Sequence, residues 1–117
     1  MAVVDDDHRL LESLEDLLES ASYAVRCFSS GEALLASGLL DVDVLITDIG
    51  LPGIDGFDLR DLARKARPDL SVFLVTGRHE IVDQGRAQGI SGFFRKPFDG
   101  QALLAAIGES LQLRRGG

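Results

Sequence analysis

Along the chain, short runs of mostly apolar residues alternate with stretches in which apolar residues recur every three or four positions. The first pattern predicts strands and the second amphipathic helices. Residues 2–4 open as a strand that stops at Asp5-Asp6-Asp7. Leu10, Leu11, Leu14, Leu17 and Leu18 then keep helical spacing, with Glu12, Glu15, Asp16 and Glu19 on the other faces and Asp7 as N-cap. A second strand is predicted over 23–28. Ser29 and Glu32 have the spacing of a capping box for a helix carrying Leu34 and Leu35, which Gly38 ends.

The third strand, 42–47, is almost wholly apolar and ends at Asp48. Pro52-Gly53 and Asp55-Gly56 mark a turn-rich loop. Phe57, Leu59, Leu62, Ala63 and Ala66 predict a third helix, closed before Pro68. A fourth strand covers 72–75 and ends at Thr76-Gly77, and a polar helix interrupted by Gly85 is expected over about 80–88. The fifth strand, 90–95, ends at Lys96-Pro97, and Asp99 caps a last helix bearing Leu103, Leu104, Ile107 and Leu111. Five βα units in this order predict an α/β fold: a doubly wound, five-stranded parallel sheet with helices on both faces. Ligands of such sheets sit beyond the carboxyl ends of the strands.

Composition narrows the reading. The 117 residues suffice for one domain, and 45% hydrophobic with 26% charged residues is ordinary for a globular one. Residues 113–117 are expected as the start of a linker or simply the end of the chain. One cysteine, Cys27, excludes an internal disulfide framework. No apolar run is long enough for a membrane span and no signal peptide is legible, so a cytoplasmic domain with no membrane partner is expected. The net charge of -7 opposes direct nucleic-acid binding by this domain. The acidity is uneven: residues 1–61 hold 14 acids and 3 bases, residues 62–117 hold 5 acids and 9 bases.

Some of those acids fall at the predicted strand ends. Asp5 and Asp6, Asp48, Thr76 and Lys96 follow four different strands and converge on one edge of the sheet. Each alone has a bland explanation: a solvated loop, a polar strand end, a turn residue, a surface lysine. Together they do not form a packing solution, because neighbouring carboxylates repel and are costly to bury. Lys96 cancels one charge. The rest calls for a hard, oxygen-seeking divalent cation, Mg2+ with Mn2+ as its substitute.

The whole chain resembles the receiver domain of bacterial two-component response regulators, a flavodoxin-like fold. The resemblance rests on Val3-Val4-Asp5-Asp6-Asp7, on Asp48-Ile49-Gly50-Leu51-Pro52-Gly53-Ile54-Asp55-Gly56, on Val75-Thr76-Gly77-Arg78 and on Phe93-Phe94-Arg95-Lys96-Pro97-Phe98, in the family's order. It implies that Asp48 accepts a phosphoryl group from a sensor histidine kinase or a phosphotransfer protein. Asp6, Asp48 and the Gly50 carbonyl then ligate Mg2+, with Asp5 holding a metal-bound water. Lys96 and Thr76 contact phosphoryl oxygens, and Thr76 and Phe93 form a switch that reshapes the face of the fourth helix, fifth strand and fifth helix. That face is also where a homodimer would form. Gly50 and Arg78 fall where the family tunes phosphoryl lifetime, with Arg78 expected to restrict water more than Gly50 admits it. The Lys96–Pro97 bond is expected to be cis. The acidic, leucine-rich first helix is the implied kinase-docking surface, though a core face plus a solvated face explains the same residues.

Three other readings compete with this one. A haloacid-dehalogenase-type phosphatase would use Asp5 and Asp7, but lacks its later acidic pair and leaves Asp48 unexplained. A flavin or nucleotide carrier meets three aspartates where phosphate needs donors. A degenerate receiver, serving only as an interaction module, is disfavoured because all five marker positions are filled.

Overall fold

A computed structural model describes residues 1–77, 92–96 and 98–116. Five strands, β1 (Ala2–Val4), β2 (Arg26–Phe28), β3 (Val44–Asp48), β4 (Ser71–Thr76) and β5 (Gly92–Arg95), form one sheet in the order β2-β1-β3-β4-β5. Every neighbouring pair is parallel. Four helices are described: α1 (His8–Ser20), α2 (Gly31–Ser37), α3 (Gly56–Ala66) and α4 (Gly100–Gly116). The helix expected over 80–88, Arg78 and Pro97 lie outside the described residues.

The central strands β1, β3 and β4 are buried at every position, which is why they read as mostly apolar runs with polar residues near their ends. Their alternating side chains feed two cores. Val4, Leu45 and Leu74 pack with Leu34, Leu59 and Ala63 of α2 and α3. Val3, Ile46, Phe73 and Val75 pack with Leu11, Leu14 and Leu18 of α1 and with Leu103 and Ile107 of α4. Each fully buried side chain of this size contributes about 1.5–3 kcal/mol. Among the described residues no helix is long and apolar enough to cross a membrane.

Several boundaries differ from expectation. The cap of α2 is Ser30, not Ser29: Ser30 is extended (φ -152°, ψ 157°) and its hydroxyl accepts from the Ala33 N–H at 3.1 Å. Strand β2 keeps only 26–28 of the expected 23–28, because its partner β1 is itself three residues long. Val42 falls in a turn before β3, its N–H bonded to the Leu39 carbonyl. Leu62 is 41% exposed, since the core stripe of α3 runs through Gly56, Phe57, Leu59, Arg60 and Ala63. Arg60 is buried instead, its guanidinium over the Phe57 ring and bonded to Asp61. Finally, α4 continues to Gly116 and so takes in Arg114 and Arg115, which were expected to lie past it.

Candidate functional site

The strand order sets β1 beside β3, and the chain leaves these two strands toward opposite faces of the sheet. A crevice opens at such a switch point, outside the carboxyl ends. The backbone there is pinned strand to strand. Asp5 donates its N–H to the Phe28 carbonyl (3.1 Å), Ile49 to the Val75 carbonyl (2.9 Å) and Lys96 to the Thr76 carbonyl (2.8 Å). Asp48 is the last residue of β3, opposite Val75, and Thr76 is the last of β4. Both therefore stand within their strands, one position earlier than expected from the apolar runs.

These pinned ends bring Asp5, Asp6 and Asp48 together, with a carboxylate oxygen of each within 4.8 Å of the others. Asp5 and Asp48 are buried and Asp6 is exposed. The Lys96 ammonium lies between the two buried groups, 2.9 Å from Asp5 Oδ2 and 3.5 Å from Asp48 Oδ1. The other oxygen of Asp5 accepts from the Asp7 N–H at 2.8 Å. Burial holds the Asp5 carboxyl above its ordinary range, against the opposing pull of Asp7 and Lys96. Burial also works against the charged form of Lys96, but the hydrogen bond to Asp5 and the charges of Asp48 and Asp5 outweigh it and hold the ammonium above its usual range.

One ammonium does not balance three carboxylates. At 4–5 Å a pair of carboxylates repels by about 3–4 kcal/mol at an effective dielectric constant of ~20, less for Asp6, which faces water. A set of oxygen donors with excess negative charge fits a hard divalent cation and suits neither a soft metal nor an anion.

Gly50 is exposed, two residues past Asp48. Thr76 is fully buried, its hydroxyl donating to the Gly77 carbonyl at 3.2 Å. Phe93 sits opposite Leu74 in the register, on the sheet face that Thr76 shares, and packs against the α2–α3 core. Phe94 and Phe98 belong to the opposite core, with ring centroids 6.0 Å apart. The adjacent aromatics are thus separated by the sheet itself.

Sequence reasoning missed one residue of this region. Gly56 was read with Asp55 as a turn pair. It is the buried first residue of α3, and a Cβ there would fall 2.4 Å from the Asp48 carbonyl oxygen. The signals in the sequence were a glycine directly after the Asp55 N-cap and its place at the end of the Asp48–Gly56 motif, neither of which was given a role at the site.

Known proteins similar to this chain fall in one family. The family model for the response regulator receiver domain matches residues 1–108. Transcriptional regulatory protein FixJ of Azorhizobium caulinodans is 36% identical over 112 residues, covering 93% of this chain and 53% of FixJ. The chain thus spans about half the length of that relative. A receiver domain protein of Methanospirillum hungatei superposes with a TM-score of 0.88 at 28% identity, covering 99% of this chain and 96% of that one. The BeF3-activated DrrB receiver domain superposes with a TM-score of 0.83 at 29% identity, covering 95% of each. With the family model spanning nearly the whole chain and the acidic crevice at the switch point of the sheet, this chain belongs to the response regulator receiver domain family.

Proposed function

We propose that this chain is a single receiver domain over residues 1–117 in which Asp48 accepts a phosphoryl group in a Mg2+-dependent reaction. The observation that carries the reading is the meeting of Asp5, Asp6 and Asp48 within 4.8 Å, with Lys96 reaching both buried carboxylates. A carboxylate oxygen of Asp48 attacks phosphorus in line, and the P–N bond of the donor's phosphohistidine breaks. The electron pair stays on the imidazole, which takes up a proton, and an acyl phosphate is left on Asp48. Asp6, Asp48 and the Gly50 carbonyl would hold the cation, and Asp5 would hold one of its waters. When bound, the cation would neutralise phosphoryl oxygens. Lys96 neutralises a further oxygen and Thr76 hydrogen-bonds another.

The domain catalyses only its own phosphorylation and dephosphorylation; it is a switch and not a turnover enzyme. Thr76 drawn toward the phosphoryl group vacates space on the sheet face it shares with Phe93, and the ring moves in. The face built on β5 and the last helix then changes shape, and a homodimer forms through it. The donor, a sensor histidine kinase or phosphotransfer protein, docks along α1. There a groove of about 630 Å³ opens beside Lys96, lined by Leu10, Leu14, Leu17 and Phe98.

Incubation with acetyl phosphate and Mg2+, followed by mass spectrometry, tests this reading. A single phosphoryl adduct is expected at Asp48, lost in Asp48→Asn and in EDTA. No adduct, or an adduct elsewhere, defeats it and leaves an interaction module.

A further inference from the structure

We infer that Gly56 is a positioning residue for the phosphoacceptor: its missing side chain lets α3 begin against the Asp48–Ile49 backbone, and this contact sets where Asp48 and the Gly50 carbonyl stand. The inference rests on the roles proposed above for Asp48 and Gly50. A Cβ on Gly56 would fall 2.4 Å from the Asp48 carbonyl oxygen, 2.8 Å from Ile49 Cα and 3.0 Å from the Asp48 carbonyl carbon. All three are main-chain atoms, which no rotamer change can move aside. The requirement is for space: Gly56 is not among the residues with positive φ.

The same contact is bonded. The Gly56 N–H and the Leu51 N–H both donate to the Ile49 carbonyl, each at 3.0 Å. From the other side the Ile49 N–H reaches β4 at the Val75 carbonyl, 2.9 Å. The backbone that carries Asp48 is therefore gripped between β4 and the first turn of α3. The Asp55 side chain fixes that turn by accepting from the Asp58 N–H at 2.8 Å. Alanine is a better helix former than glycine, so a loss on replacing Gly56 reports the contact and not helix propensity.

Gly92 supplies the control. Its Cβ would meet the Phe73 ring at 2.7 Å, a comparable clash with a side chain in the core and not with the site backbone. Gly56→Ala and Gly92→Ala are compared with the parent in three readouts: urea midpoint, amide chemical shifts of residues 48–50 without divalent cation, and Mg2+ affinity by titration. Both variants are expected to lose stability. Gly56→Ala alone is expected to shift the amides of 48–50 and to weaken Mg2+ binding by about tenfold or more, as a displacement of a fraction of an ångström at a preorganised site does. A folded Gly56→Ala with unchanged amides and unchanged Mg2+ affinity overturns the inference.

Should Gly56→Ala fail to fold, Asp55→Ala loosens the first turn of α3 without adding atoms. It is expected to move the same amides, and their constancy overturns the inference equally. If the parent binds no Mg2+, the proposed function fails, while the amide shifts read without cation still judge the role of Gly56.

Discussion

Asp5, Asp6 and Asp7 share one side chain and meet three environments. Asp5 is buried against Lys96, Asp6 is exposed beside the other carboxylates, and Asp7 caps α1 by accepting from the Arg9 N–H at 3.0 Å. The folded state binds the Asp5 proton more tightly than the unfolded chain, because burial raises that pKa. The unfolded carboxyl loses its proton near the ordinary value of about 4. Without divalent cation, this group's contribution to stability therefore falls as pH rises from there through the raised folded value, and is flat above it. The melting temperature of the parent minus that of Asp5→Asn, followed in EDTA, should fall across that window; a rising difference contradicts the assignment. Cys27 is the opposite kind of residue. Burial, then Glu15 at 3.6 Å from Sγ, pushes its thiol up to about 11. At pH 7 only ~10⁻⁴ of it is thiolate, so iodoacetamide should label it slowly in the folded protein and far faster in urea. Equal rates would show that the thiol is not protected. Of these differences the sequence showed the Asp7 cap; the burial of Asp5 and of Cys27 is not visible in it.

Among the elements, helices were legible where a capping side chain and a leucine stripe agreed. Asp7, Asp99 and the α1 leucines at 11, 14 and 18 stand as the spacing predicts. The start of α2 was less legible, because Ser29 and Ser30 are both good caps and only backbone geometry chooses between them. Ser30→Ala should lower the urea-unfolding free energy by about 1 kcal/mol, and Ser29→Ala by a few tenths at most. The reverse ranking would restore the Ser29–Glu32 box. In α3 the apolar pattern offered Leu62 as core, yet Arg60 is 7% exposed and Leu62 is 41% exposed. A long arginine stem covers apolar surface as well as a leucine does when its guanidinium finds a ring and a carboxylate. Hydropathy alone assigns such a residue to the wrong side.

For the molecule as a whole, the crevice exists because the strand order is 2-1-3-4-5, which brings Asp5 and Asp48 together from positions 43 residues apart. A cation that binds the folded crevice and not the unfolded chain stabilises the fold by mass action, about 2.7 kcal/mol at a hundred times its Kd. Mg2+ should accordingly raise the urea midpoint of the parent, and most of that rise should vanish in Asp48→Ala. A rise of equal size in both would place the cation on the wider acidic surface of a chain with net charge -7. What the residue order alone determined was the described strands and helices, the parallel sheet and the identity of the strand-end groups. Apolar runs, caps and turn residues are local signals, and each strand end is marked by the polar residue that interrupts the run. The tertiary structure alone decided which carboxylate is buried, which face Phe93 shares with Thr76 and how closely Gly56 approaches Asp48. Those depend on register and on contacts between distant segments, where differences of an ångström separate a packed glycine from a clash.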